Sequence, residues 1–395
     1  MIFHIITLST YGRGLSGGDR IWIELAKRIG KKYQINVYLW EEGLSIAKRE
    51  GLKDVSFTLW TAKFWANFGF FINYFARIFI GIFKALTLRI DNSKETVLYS
   101  ASEFWQDSLP SLILKLRYPK ITWIAAWYQT APNPFIGFRE NGIFNILPNL
   151  RSTLYFLVQW PIKPIIKKWA DFIFITSEPD KIFFPRQNNL RKVIVIKGGV
   201  DLDKIEEFKK NKREEKKYDA VFQGRFHPQK GVLELIDIWK RVVGRKADAK
   251  LVMIGDGPLM KAVSQKIKEE NLEKNVILTG YLFDGDQKHD IFLKSKIVLH
   301  PALYDSGGMA AAEAMAFGLP GIAFDLNALK TYYPQGVIKI PIGNSDRFAD
   351  SIMELLDNDK LYQKLKKEAL ELIKNYWNWD YLAKKVIAIL NNRMV

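Results

Sequence analysis

The sequence predicts an α/β protein in which two Rossmann-like domains face each other across a deep cleft. Three observations carry this. Strand-like apolar runs alternate with helix-period patterns along the whole chain, which argues for parallel sheets covered by helices. The runs fall into two series, divided by the polar, highly charged stretch DLDKIEEFKKNKREEKK at 201–217. A chain of 395 residues is long enough for two domains.

In chain order, the first series places strands at about 2–8, 34–40, 54–58, 96–100, 121–126, 172–176 and 193–196. The second places them at 218–223, 249–254, 275–279, 297–300, 320–324 and 337–340. The boundaries follow: a first domain over 1–200, a solvated linker over 201–217, a second domain over 218–375, and a C-terminal helix over 376–395 expected to cross back to the first. The opening MIFHIITLST reads as the first strand and lacks the basic n-region of a secretory signal. The absence of cysteine excludes disulfides, thiolate metal sites and cysteine nucleophiles, and suits a reducing interior.

The first strand runs into STYGRGLSGG, where Gly12, Gly14 and Gly17 complete a G-x-G-x-x-G before the helix-like DRIWIELAKRI. That is the context of a dinucleotide fingerprint. Glu41 and Glu42, after the second strand, stand where a ribose-binding acid would. Against this, Ser9, Thr10 and Tyr11 separate the strand from the first glycine, a longer loop than the fingerprint needs.

Charge and aromatic residues are unevenly placed. Residues 1–200 carry 27 Lys and Arg against 14 Asp and Glu, net +13, while residues 201–395 carry 32 against 28, net +4. The first half also holds 9 of 12 Trp and 18 of 26 Phe. A basic, aromatic half calls for an anionic partner with an apolar component, which fits an anionic membrane surface better than nucleic acid. Two segments concentrate the signal. Residues 59–90 are apolar nearly all round, with Asn67, Asn73 and Arg77 interrupting a stretch from Phe64 to Phe83 long enough to span a bilayer. Its place between two strands argues instead for a helix with one face on the sheet and the other offered to lipid. The second segment, 135–170, lies in an over-long connection and mixes Trp160, Trp169, Lys163, Lys167 and Lys168 with aliphatics.

The second half carries the chemistry. Its first strand ends in GRFHPQKG, Gly224 to Gly231, followed by the amphipathic VLELIDIWKRV. Arg225 and Lys230 flank a turn beside the helix amides, an arrangement suited to a diphosphate. Further on, LHPALYDSGGMAAAEAMAFGLPGIAFD at 299–325 ends a strand at His300-Pro301. Asp305 lies in the following loop, Gly307 and Gly308 permit close backbone approach, and Glu313 follows eight residues after Asp305 on a small-residue helix expected to be buried. Two acids so spaced can grip the hydroxyls of a sugar and a ribose.

GRFHPQKG, VMIGDGPLM, NVILTGYL and DSGGMAAAEAMAFGLPGIAFD, in this order and spacing, resemble the C-terminal domain of family 4 glycosyltransferases, which have the GT-B fold. The resemblance covers about 218–392; in the first half it is carried by GLSGGDRIWIELAKRI and IKGGVDLDKI. It implies a retaining, metal-independent transfer of a sugar from a nucleoside-diphosphate sugar, a UDP-sugar or GDP-mannose, with no cofactor beyond that co-substrate. By motif position it places Arg225 and Lys230 on the diphosphate, Glu313 on the ribose and Asp305 at the first acid of the family's E-x7-E pair, against the donor sugar. Gly307 and Gly308 would bring amides to sugar or phosphate, and Tyr281 would stand at the base. Gly224, Gly255, Ser306 and Met309 complete the implied donor site, and Asp305, Glu313, Arg225 and Lys230 form its reacting centre. Gly14, Gly17 and Gly18 would let the first domain's backbone approach the donor phosphates or the acceptor, so no nicotinamide is needed.

The sequence departs from the family pattern in having Asp305 where Glu is usual and DSGG where EGFG is usual, which bears on the identity of the donor. Many relatives carry a His near the acceptor; the corresponding region here is AAWYQTAPNP, with Trp127 and Tyr128, and with Glu103 and Asp107 upstream, none given a role. The family implies front-face attack, with the leaving phosphate taking the acceptor's proton. The basic aromatic half favours a lipid-linked glycan or glycolipid acceptor, on a cytoplasmic enzyme held peripherally at the inner face of the cell membrane. The rival readings are a soluble sugar or protein acceptor, and a catalytically silent sugar-binding relative.

Overall fold

The computed structural model describes residues 1–61, 68–140, 142–185, 192–210, 212 and 215–394. The chain divides into two compact units. One comprises Met1–Pro134, Leu150–Gly198 and Trp379–Val395; the other comprises Phe135–Asn149 and Gly199–Asn378.

The first unit is built on a seven-stranded parallel sheet of order β3-β2-β1-β4-β5-β6-β7. Its strands are β1 Ile2–Thr7, β2 Gln34–Leu39, β3 Ser56–Leu59, β4 Thr96–Ser100, β5 Thr122–Trp127, β6 Phe172–Ile175 and β7 Lys192–Val195. The central strands are apolar on both faces because helices cover both; all of TWIAAW in β5 is buried. The order reverses between β1 and β4, the switch point at which open α/β sheets present binding loops. Right-handed crossovers put the helices Gly17–Ile29 and Glu41–Arg49 on one face. The helices Phe70–Thr87, Trp105–Arg117, Leu150–Gln159 and Ile162–Trp169 lie on the other. The C-terminal helix Trp379–Met394 packs in this unit, against Gly17–Ile29.

The second unit has a six-stranded parallel sheet of order β10-β9-β8-β11-β12-β13, with its switch point between β8 and β11. The strands are β8 Tyr218–Gln223, β9 Leu251–Ile254, β10 Val276–Gly280, β11 Ser295–His300, β12 Gly321–Phe324 and β13 Val337–Ile340. Its core gathers Phe222, Phe226, Trp239 and Met253 on one side and Met315, Phe317, Tyr332 and Trp377 on the other.

Two expectations are corrected. The charged stretch at 201–217 is not simply a linker: Leu202–Lys210 is a helix of the second unit with Ile205 buried and the Phe208 ring against His289 and Phe317. Composition hid this because only two or three apolar residues suffice to dock so short a helix, while its Lys and Glu face water. Residues 211, 213 and 214 of that stretch lie outside the described residues. The segment Phe135–Asn149, expected in the first domain, belongs to the second unit. There the Glu140 amide donates to Leu303 O (2.7 Å), its carboxylate accepts from the Asn327 amide (3.0 Å), and the Phe138 ring meets His227 and Tyr304 edge-on. Nothing in the pattern of a long connection says which core its side chains serve.

The helix Phe70–Thr87 turns polar groups inward and aromatics outward. Asn73, Arg77, Ile78, Gly81 and Ala85 are buried. Phe71, Phe75, Phe79 and Phe83, four residues apart and therefore on one face, are 64%, 51%, 67% and 64% exposed. It is long and apolar enough to cross a membrane by length and composition, with a third of its residues buried. Of the residues that prompted the sequence reading, Phe64 and Asn67 lie outside the described residues.

Candidate functional site

The site is assembled from the loops that follow β8 and β11. After β8, the Gly224 amide donates to Ile254 O (3.0 Å). Gly255, at φ 146°, lies so close to the Gly224 carbonyl that a Cβ there would stand 1.9 Å from it, so the two loops pack backbone to backbone. Arg225 is exposed at this edge, and among the described residues its guanidinium has no hydrogen-bonding or ionic partner. A single 3₁₀ turn, Pro228–Lys230, leads to Gly231, whose φ of 62° starts the helix Val232–Val243 and whose missing side chain makes room for Pro301 O. Gln229 O accepts from the amides of Leu303 and Tyr304 at 2.8 and 3.2 Å, locking the loop after β8 to the loop after β11.

That lock brings Lys230 Nζ to 2.6 Å from Asp305 Oδ2, with His300 Nε2 at 3.2 Å from the same oxygen. Asp305 Oδ1 accepts from the amides of Ser306 (2.9 Å) and Gly307 (3.3 Å). Burial alone would raise the Asp305 pKa, but the charge of Lys230 and the contact with His300 override it and hold the carboxyl well below the usual range. Gly308, at φ 53°, begins the short helix Met309–Met315, and its carbonyl accepts from Tyr333 OH. The expected amides of this loop are therefore partly committed already, to Asp305 itself.

Glu313 is 9% exposed, inside the small-residue helix as its neighbours required. Its Oε2 accepts from Lys288 Nζ (2.6 Å) and from Gln223 Nε2 (3.0 Å). Lys288 also pairs with Asp284. Tyr281 and Phe283 follow Gly280 as an exposed aromatic pair, ring centres 5.1 Å apart and edge to face. Sequence reasoning missed His300, Lys288 and Gln223. His300 was legible in principle, as a polar residue closing an apolar strand five positions before Asp305; Lys288 was not, because lysine in the first turn of an amphipathic helix ordinarily faces water.

In the first unit, the loop after β1 carries Gly12, Gly14, Gly17 and Gly18. Gly12 alone of these has a left-handed backbone, φ 71°. Gly17 and Gly18 open the helix Gly17–Ile29, capped by Ser16 Oγ on the Asp19 amide (3.1 Å), and a Cβ on Gly18 would press on the Tyr128 ring at 3.0 Å. The stem of this loop is gripped from two sides. Asp107 accepts from the amides of Leu8 (2.6 Å) and Ser9 (3.1 Å) and from the hydroxyls of Ser9 and Ser102. Arg77 donates to the carbonyls of Leu8 (2.8 Å) and Thr10 (2.6 Å), to Asn73, and to Glu42 Oε1 (2.8 Å), beneath the Tyr11 ring. Glu42, which stood where a ribose-binding acid would, is thus the partner of a buried arginine. Burial pushes the Asp107 pKa up to about 7 against the pull of its hydrogen bonds. Glu103 is likewise raised by burial, and it accepts from Tyr155 OH (2.9 Å), Gln159 Nε2 (3.3 Å) and the Tyr128 amide (3.3 Å). Both acids hold loops and helices together. Trp127 Nε1 donates to Thr130 Oγ1 (2.8 Å), and the ring is buried. Among the described residues no group of three or more His, Asp or Glu is arranged to hold a metal ion.

Residues 203–372 match the family model for glycosyl transferases group 1. The poly(ribitol-phosphate) alpha-N-acetylglucosaminyltransferase of Staphylococcus aureus (strain COL) is 25% identical over 227 residues, 56% of this chain and 44% of that protein. The phosphatidyl-myo-inositol mannosyltransferase of Mycobacterium leprae (strain TN) is 27% identical over 174 residues, 43% of this chain and 45% of that protein. The chain spans less than half the length of either relative. Among solved structures, Anabaena HepE in complex with UDP and glucose superposes with a TM-score of 0.71 at 14% identity, over 98% of this chain and 99% of that one. The fold is GT-B, with two parallel-sheet α/β domains.

Proposed function

We propose that the chain transfers a sugar from a nucleoside-diphosphate sugar to an acceptor hydroxyl, with retention at the anomeric carbon and without a metal. The observation that supports this best is the buried Lys230–Asp305 pair at the edge of β8 and β11, with Glu313 on the next helix and Arg225 unpaired beside it, all inside the matched segment. A diphosphate would meet Arg225 and draw on Lys230, whose ammonium Asp305 and the loop amides keep in place. Tyr281 and Phe283 offer faces and edges to a base, and Glu313 accepts from the ribose hydroxyls.

In the reaction, the bond between the anomeric carbon and the β-phosphate oxygen breaks while the acceptor oxygen bonds to the same carbon. The acceptor's proton passes to the departing phosphate. Arg225 and Lys230 neutralise the charge that grows on the leaving group, the largest contribution such a site can make. Lys230 and two amides draw on the Asp305 oxygens and weaken the carboxylate as a nucleophile, which favours attack from the face the leaving group vacates.

The acceptor side is read from the first unit. Its outward helix face carries exposed Phe71, Phe75, Phe79 and Phe83, with exposed Lys84 on the helix and Arg89 just past its end; the segment 151–168 likewise exposes Leu154, Leu157 and Trp160 together with Arg151 and Lys168. Exposed apolar side chains in the same segments as exposed cations suit an anionic bilayer surface. A lipid-linked glycan or glycolipid acceptor, at the cytoplasmic face of the cell membrane, is the substrate class this surface would serve. The M. leprae relative, named for a phosphatidyl-inositol acceptor, supports the same class.

The test is release of nucleoside diphosphate from UDP-, GDP- and ADP-sugars in the presence of a total lipid extract, with the anomeric configuration of the product read by NMR. One donor is expected to react with retention. Lys230→Ala should lower kcat by about 10²–10³, as loss of one leaving-group or oxyanion donor does. Inversion, or unchanged turnover in that variant, would overturn the reading.

A further inference from the structure

We propose that Lys288 is a positioning residue for the donor's ribose, an assignment that rests on the nucleotide-sugar reading above. Lys288 lies on the helix Asp286–Lys294 with its side chain 2% exposed. Its ammonium sits between Asp284, at the end of the aromatic loop, and Glu313, on the helix after β11. Gln223, the last residue of β8, delivers its amide to the same Glu313 oxygen, Oε2. Two donors from two different elements thus converge on one oxygen. A carboxylate held this way cannot rotate about its terminal bond, so its plane is set before a vicinal diol arrives. Among the described residues the Gln223 carbonyl oxygen is itself buried and accepts no hydrogen bond, an acceptor beside Glu313 that a ribose hydroxyl could satisfy.

The chemistry excludes a purely stabilising role as the simplest account. A buried ion pair contributes little net stability, and a well-packed apolar side chain would serve the fold as well. What it supplies is geometry and charge. Removing Lys288 takes its positive charge away from Asp284 and Glu313, which makes ionisation of both carboxyls less favourable. Lys288 also ties the base end of the site to the ribose end: Tyr281 and Phe283 precede Asp284 on the same loop.

The experiment titrates wild type, Lys288→Met and Lys288→Gln with UDP, GDP and ADP, their 2′-deoxy counterparts, and inorganic pyrophosphate. The probe that binds wild type best is expected to lose about tenfold or more in affinity when the 2′-hydroxyl is removed, the worth of a hydrogen bond to a charged group. In Lys288→Met the ribonucleotide should weaken by about tenfold and the ribo-to-deoxy ratio should fall towards one, because the oriented acceptor is lost. Pyrophosphate, which on the donor reading would meet Arg225 and Lys230 and lacks a ribose, should bind all three proteins alike. A general packing defect would weaken pyrophosphate and nucleotide together. Lys288→Gln keeps one donor and similar bulk, so it carries the test where the methionine variant fails to fold, with an intermediate ratio expected. A ratio unchanged from wild type, or parallel loss of pyrophosphate, overturns the assignment while leaving the donor reading intact. If no nucleoside diphosphate binds the wild type, the donor reading falls and the assignment falls with it.

Discussion

The helices Val232–Val243 in the second unit and Phe70–Thr87 in the first are built on opposite plans. In the former, Val232, Leu235, Ile236, Trp239 and Val242 face the sheet and Lys240 and Arg241 face out. In the latter, Asn73 and Arg77 face in and four phenylalanines face out. The first plan is what water alone demands of a helix on a sheet. The second puts its polar groups where the backbone of the loop after β1 needs donors, and its apolar groups where water would not place them. The inner face answers to the glycine loop, and on the membrane reading proposed above the outer face answers to lipid.

The largest effect that could break this comparison is on the inward face. Arg77→Met removes the donors to Leu8 O and Thr10 O and breaks the pair with Glu42, so a loss of about 3–5 kcal/mol is expected. Phe79→Ser on the same helix should change stability by no more than about 0.5 kcal/mol. Urea unfolding of both variants is the measurement. If the phenylalanine variant loses as much as the arginine variant, the exposed face is part of the core and the contrast is false.

How far this was legible in the sequence follows the same contrast. Among the described residues, all thirteen strands fall within two or three residues of their expected places; the central parallel strands, buried on both faces, leave a continuous apolar run between polar turns. The burial of Glu313 was likewise legible, from the small residues around it, whereas the Lys230–Asp305 pair was not: motif position gives the two to different parts of the donor. What escaped was long-range: that Arg77 and Glu42 would join across 35 positions, that Lys288 would turn inward, and that 135–149 would pack with the second unit. Pairing of buried charges depends on which loops meet, and local periodicity carries no record of that.

On the outward face the expected effect is next in size and leaves the fold intact. Each phenylalanine buried in a lipid interface is worth up to about 1.5–3 kcal/mol, so Phe75→Ser with Phe79→Ser should lower binding to phosphatidylglycerol-containing vesicles by at least about tenfold. Flotation at moderate salt checks it, with release of nucleoside diphosphate from the donor in the presence of a water-soluble acceptor as the control. Equal flotation of variant and wild type would remove the membrane from the account of this face.

The smallest effect separates the two units by the sign of their pH dependence. Asp107 in the first unit has its folded pKa raised from 3.8 to about 7, so the native state binds a proton there that the unfolded state has given up. Its contribution is fully present below the unfolded value and is lost as pH rises through about 7. Asp305 in the second unit is depressed, so its contribution is present above 3.8 and is lost only as pH falls below that. Between pH 6 and 7, Asp305 is ionised in both states and is silent, whereas Asp107 titrates only in the folded one. Lowering the pH across that interval should therefore stabilise the first unit by on the order of 1 kcal/mol, or about 2–4 °C in Tm. Asp107→Asn should lose this slope and Asp305→Asn should keep it. If both variants lose it, or neither does, the slope arises elsewhere, and the buried acid that grips Leu8 and Ser9 is as fully ionised in the folded chain as in the unfolded one.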